Sequence, residues 1–214
     1  MVRLICYNIE YCEGFSGCWY QYLKFWRNLF PPKHLDQAII TALKKLHPDL
    51  LALVEIDDGS IRTHKNEVLL FKHQLGFKYL AQKLKYPLSS LVSHVPVLRH
   101  QENALFSRYK LTSVTYHQFS KGVKRMVIEA TLTCPKKVTL LLVHLSLGKR
   151  TRTKQIQELI TFIKKIKNPV ILMGDFNTLS GPLELKQLLT QTHLCDTYRL
   201  QDYSPEFTYP SRHP

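Results

Sequence analysis

Short, almost unbroken apolar runs separated by longer helical patterns constrain this chain more than any other feature. Residues 2–7, 50–56, 138–145 and 170–173 are each long enough for a buried strand and too short for a helix. Between the first two runs, Leu35, Ala38, Ile39, Ala42, Leu43 and Leu46 recur at helical spacing, and His47-Pro48 closes that helix. Residues 105–106 and 125–132 read as further strands. Thr151 or Thr153 can cap a helix carrying Ile156, Leu159, Ile160, Ile163 and Ile166, which Asn168-Pro169 ends. Residues 183–189 suit a short helix. The pattern predicts two sheets packed face to face with helices outside, as one domain over residues 1–214. No internal repeat or low-complexity tract divides the chain.

At 44% hydrophobic and 21% charged residues, the composition argues against disorder. No apolar run has the length of a membrane span. The first residues enter a strand pattern with no signal peptide ahead of them, so the expected location is cytoplasmic. Five cysteines without a Cys-x-x-Cys pair argue against a disulfide framework or a structural zinc site. The net charge of +14 is uneven: from Arg99 to Lys154, twelve Lys/Arg residues face only Glu102 and Glu129. Such a field suits a polyanionic partner, and equally a well-solvated surface.

Each apolar run ends in a polar residue able to handle metal or phosphate. The first ends at Asn8, the second at Glu55 and the third at His144. The fourth passes through Gly174 into Asp175-Phe176-Asn177. Asp175 and Asn177 share one side of an extended chain. Singly, these residues fit ordinary roles, such as a turn cap for Asn8, a hydrogen-bonded core histidine for His144 and a surface acid for Glu55. If the strand ends converge, one rim holds two carboxylates, one imidazole and two amides. Oxygen ligands without thiolates suit Mg2+ or Mn2+ rather than zinc.

Five segments in this order resemble the endonuclease/exonuclease/phosphatase superfamily. Arg3-Leu4-Ile5-Cys6-Tyr7-Asn8-Ile9 looks like its opening strand, and Pro48-Asp49-Leu50-Leu51-Ala52-Leu53-Val54-Glu55 like the segment with its metal-binding Glu. Glu102-Asn103-Ala104-Leu105-Phe106-Ser107-Arg108 is similar to a third, with Glu102 where Gly is usual. Leu142-Val143-His144-Leu145 and Gly174-Asp175-Phe176-Asn177 match the last two. The resemblance implies an α+β fold, a four-layer αββα sandwich of two packed mixed β-sheets flanked by helices, lacking the last strands. It implies that Glu55 holds the divalent ion with Asn8 close by, and that Asp175 and Asn177 contact water and the scissile phosphate. His144 would bind or protonate phosphate oxygens. Asn103, Arg108 and Arg152 are the expected substrate-binding residues.

Family members continue past a segment like Phe207-Thr208-Tyr209 into an Asp-bearing strand and a Ser-Asp-His strand, whereas this sequence stops at Pro214. The expectation is that residues 1–214 alone are nearly inactive. Residues 15–32 form an insert in which Trp19, Tyr22, Leu23, Trp26, Leu29 and Phe30 share one helical face. It could pack as a lid on its own domain, or touch a membrane surface or nucleobases through residues 18–30. The basic run from Lys149 to Lys154 is either a solvated helix start or a contact to a substrate backbone. The leading expectation is a metal-dependent nuclease acting on nucleic acid, with no obligate protein partner. The alternatives are the same chemistry on a lipid headgroup, inositol phosphate or other small ester, and a non-catalytic nucleic-acid binder.

Overall fold

The computed structural model describes residues 1–12, 34–60, 65–84, 101–179 and 181–197. The aromatic insert and the last seventeen positions therefore lie outside the described residues. Strand β1 (Leu4–Asn8) is followed by helix α1 (Leu35–Leu46), β2 (Leu50–Asp57), α2 (Glu67–Leu75), β3 (Tyr79–Leu84) and β4 (Gln101–Ser107). Then come β5 (Leu111–Gln118), β6 (Met126–Leu132), β7 (Val138–His144), α3 (Lys149–Lys165), β8 (Val170–Asp175) and α4 (Lys186–Gln191).

The strands form two four-stranded mixed sheets, in the orders β1-β2-β4-β3 and β5-β6-β7-β8. Each sheet holds one parallel pair, β1–β2 or β7–β8, while its other pairs are antiparallel. Both parallel pairs are bridged by a helix, α1 and α3, as a crossover requires.

Side-chain alternation sorts the sheets into layers. In β2, Leu50, Ala52 and Val54 pack toward the second sheet, against Ile128, Leu140 and Leu142. Leu51 and Leu53 pack outward with Ile40, Leu43 and Phe71 of the first helical layer. On the second sheet, Leu141 and Val143 pack outward against Ile156, Leu159, Ile160 and Ile163 of α3. The result is the four-layer αββα sandwich that the sequence led us to expect.

α1 ends at His47, whose left-handed conformation (φ 46°) turns the chain before Pro48. α3 begins earlier than the threonine caps predicted. Gly148 precedes it without a side-chain cap, and Thr153 Oγ1 instead donates to the carbonyl of Lys149 at 3.0 Å inside the helix. The 183–189 helix is a 3-10 turn (Pro182–Leu185) running into α4. β1 and β8 are edge strands rather than fully buried ones, and Tyr7 and Ile171 are exposed.

Candidate active site

The same alternation that builds the core brings the polar residues together. Leu4 of β1, Leu140 and Leu142 of β7, and Met173 of β8 pack between the sheets. Two residues further along each strand, or four from Leu4, the same face presents Asn8, His144 and Asp175. These positions are neighbours at the ends of their strands: Asn8 pairs with Val54, and His144 with Asp175.

Glu55 reaches this rim by a different device. β2 runs past it to Asp57, so Glu55 does not end the strand as the sequence suggested. The ladder with β4 skips from Val54–Asn103 to Ile56–Glu102, which leaves Glu55 as the extra residue of a β-bulge with φ 60°. Ile56 consequently joins the outward layer with Leu51 and Leu53, three residues after Leu53 rather than two. The bulge is held by Asn103, which is 1% exposed and whose Oδ1 accepts from the Glu55 N–H at 3.5 Å. Asn103 thus positions Glu55.

Gly174 serves β8 in a comparable way. Its φ is 141°, and a Cβ there would lie 1.8 Å from the carbonyl oxygen of Val143. Only glycine permits that approach, which sets Asp175 beside His144. Asn177, at φ 50°, closes the turn: its N–H donates to Asp175 Oδ1 at 2.9 Å and its side-chain amide to the Leu145 carbonyl at 2.7 Å.

The contacts across the rim are short. Asn8 Nδ2 donates to Asp175 Oδ2 at 2.9 Å, joining the two sheets. His144 Nε2 lies 3.8 Å from Glu55 Oε1 and 3.6 Å from Asp175 Oδ2, with its side chain 2% exposed. Two residues that the sequence reading missed complete the group. Lys124 Nζ lies 3.4 Å from Glu55 Oε1 and is hydrogen-bonded to His144 Nε2. An ammonium can only donate, so Nε2 accepts in this contact. Glu10 follows Asn8, whose Oδ1 accepts from its N–H at 3.0 Å. Burial, then the charges of Glu55 and Asp175, push the Glu10 carboxyl up to about 7, against the pull of Lys124. Burial and Asp175 likewise raise the Cys6 thiol to about 12. A signal for Glu10 existed in its two-residue spacing from Asn8. Lys124 was hidden in the basic run 121–125.

Two of the expected substrate-binding residues lie elsewhere. Arg108 follows β4 at the end where Ser107 pairs with Leu50, the opposite end of β2 from Glu55. Its guanidinium donates to the carbonyls of Pro48 and Leu75 and stacks over Phe77, so it fastens loops. Arg152 is 1% exposed. It pairs with Glu184 at 2.5 Å and donates to the carbonyls of Ser146 and Leu147. Helical periodicity turns Arg152 inward beside Ile156 and Leu159, away from the solvent that a substrate would cross.

Among the described residues, no cluster of three or more His, Cys, Asp or Glu side chains forms a ready metal cage. The donor set nevertheless fits a hard cation. Glu55 and Asp175 supply carboxylate oxygens at one rim, and the Lys124 ammonium already stands against Glu55 as a positive group. Magnesium is commonly held by only one or two carboxylates and keeps several waters.

The chain matches the Endonuclease/Exonuclease/phosphatase family over residues 7–214 and belongs to it. The family comprises hydrolytic phosphoesterases that are generally divalent-metal dependent. Solved structures share the fold. An endonuclease/exonuclease/phosphatase from Beutenbergia cavernae superposes with a TM-score of 0.65 at 16% identity, covering 99% of this chain and 62% of that one. TDP2 of D. rerio, complexed with single strand DNA product, gives 0.62 at 14% identity over 94% of this chain and 70% of its own. ANGEL2, a 2',3'-cyclic phosphatase in complex with adenosine-2',3'-vanadate, gives 0.55 at 20% identity, with 85% and 55% covered. No curated protein matches the chain in sequence. No helix among the described residues is long and apolar enough to cross a membrane.

Proposed function

We propose that this protein is a divalent-metal-dependent phosphodiesterase of the nuclease type. The observation that carries the proposal is the meeting of Asn8, Glu55, His144 and Asp175 from four strands and both sheets. Glu55 is the residue to hold Mg2+ or Mn2+, with Asn8 beside it. The ion would supply positive charge against the negative charge that develops on the phosphate. Asp175, oriented by Asn8 and by the Asn177 N–H, is placed to align a water or a phosphate oxygen. Asn177 locks the loop through Leu145. His144, with Nε2 facing the rim, is placed to bind or protonate a phosphate oxygen when Nε2 carries the proton.

Nucleic acid is the favoured substrate because Lys121, Lys124, Arg125, Lys149 and Arg150 belong to the two segments that flank the rim, ahead of β6 and after β7. Such a field tracks a phosphate backbone. The complex of TDP2 with single strand DNA gives this choice further support.

The test is hydrolysis of a single-stranded oligonucleotide and of an inositol phosphate, with Mg2+ and with chelator. Magnesium-dependent cleavage of the oligonucleotide, expected to be weak for residues 1–214, should fall about a hundredfold or more in Asp175→Asn. Turnover of the small ester alone would transfer the activity to that substrate class. Salt-sensitive oligonucleotide binding without any turnover would make the protein a binder and overturn the enzymatic reading.

A further inference from the structure

Lys124 is held in place by more structure than a solvating lysine needs. The segment between β5 and β6 is fastened along α3. Phe119 is buried, and Ser120 donates from its N–H and its Oγ to Glu158 at 2.9 and 2.5 Å. Gln155, fully buried, donates Nε2 to the carbonyls of Lys121 and Lys124 at 2.9 and 2.7 Å. Its Oε1 accepts from the Ser146 N–H at 2.9 Å, two residues past His144. At Gly122, with φ 107°, a Cβ would stand 2.5 Å from Ser146 Oγ and 2.7 Å from Gln155 Nε2. The segment is pressed onto the helix too closely for another residue. Freezing a lysine side chain costs rotamer freedom, so a fixed lysine needs compensating contacts.

Those contacts lie in the rim. The Lys124 side chain is 17% exposed and the Glu55 side chain 14%, so water screens their 3.4 Å approach only in part. The ammonium and a divalent ion both require Glu55 oxygens, and two cations cannot share that small acidic site without repulsion. We propose that Lys124 is the built-in competitor of the divalent ion for Glu55, and that it becomes a phosphate-binding catalytic residue once it yields Glu55. Before the ion arrives, Lys124 neutralises Glu55 and satisfies His144 Nε2. After release, Gln155 still holds the Lys124 carbonyl and Glu158 the Ser120 end of the segment, so the ammonium faces the entering phosphate. The inference rests on the assignment of the ion to Glu55.

The test measures Mn2+ binding by electron paramagnetic resonance, and inorganic phosphate binding in the presence of Mn2+. Lys124→Met and Lys124→Gln should both bind Mn2+ about fivefold more tightly than the unaltered protein, the equivalent of removing one partly exposed ionic competitor. Both should bind phosphate more weakly, and Lys124→Arg should restore phosphate binding. Melting temperatures near that of the unaltered protein confirm that the variants are folded. Unchanged or weaker Mn2+ binding in both neutral variants overturns the inference. Glu55→Gln separates the two layers of the argument. If it leaves Mn2+ affinity intact, the assignment of the ion to Glu55 falls and this inference with it. If it abolishes Mn2+ binding while the Lys124 variants change nothing, this inference alone falls.

Discussion

The two parallel units, β1-α1-β2 and β7-α3-β8, solve one problem in opposite ways. Each must bring two polar residues to the end of a buried face. The first places strain on the acid itself, since Glu55 occupies the left-handed region within a bulge. The second places it on the preceding residue, Gly174, and leaves Asp175 in ordinary strand register with His144. Behind the rim the contrast reverses in sign. The first unit's β2 carries the buried carboxyl Asp57, and α2 and β4 packed on that strand carry Glu67 and Glu102, all at most 3% exposed. The second is clamped by the buried cation Arg152 on Glu184. One unit therefore stores its vulnerability as buried acid, and the other as steric closeness and a charge pair.

Breaking the second unit should have the largest effect. Gly174→Ala inserts a methyl 1.8 Å from the Val143 carbonyl oxygen, at a φ that alanine avoids. It should cost ~5 kcal/mol or more and abolish soluble folded protein, as read by thermal melting and circular dichroism. A fold tolerant of alanine would show that the close approach can relax and that the asymmetry is not real.

Arg152→Ala leaves Glu184 buried without its partner and frees the carbonyls of Ser146 and Leu147. The expected loss is about 3 kcal/mol, read by chemical denaturation. A loss of oligonucleotide affinity with unchanged stability would instead return Arg152 to a substrate-binding role.

The acids packed around the first unit should reveal themselves through pH. Burial, then Asp58 and Asp57, raise Glu102 to about 8 against the pull of Lys83, and Glu102 Oε2 has no hydrogen-bond partner among the described residues. Burial raises Glu67 to about 7. The folded state thus keeps protons that the unfolded state releases near pH 4.5. Stability is full below that value and is lost as pH rises through about 7 to 8. Glu102→Gln should recover roughly 1–2 kcal/mol at pH 9 relative to pH 5. Equal pH slopes for the two proteins would remove Glu102 from the explanation.

Much of this was legible in the residues because apolar alternation is a strong constraint. It located β2, β7 and β8, both crossover helices, and four rim residues by their position after apolar runs. The unread elements lacked that signal. β5 is an edge strand with most of its side chains partly or fully exposed, so its Thr, Ser and His residues hide the period. In α2, exposed Leu69 blurs the buried stripe of Val68, Phe71 and Leu75. The bulge at Glu55 depends on its pairing with β4, a long-range contact that no local pattern reports. Arg108 and Arg152 lie near the site motifs in sequence, and only strand direction and helix phase separate them from the rim.

The central claim is that the two units build one site rather than two adjacent ones. A double-mutant cycle on oligonucleotide hydrolysis with Mg2+, using Glu55→Gln and Asp175→Asn, tests it directly. If the residues act as a unit, the double variant should be little worse than the poorer single variant. Losses that multiply in full would show that Glu55 and Asp175 work independently, and would contradict the account.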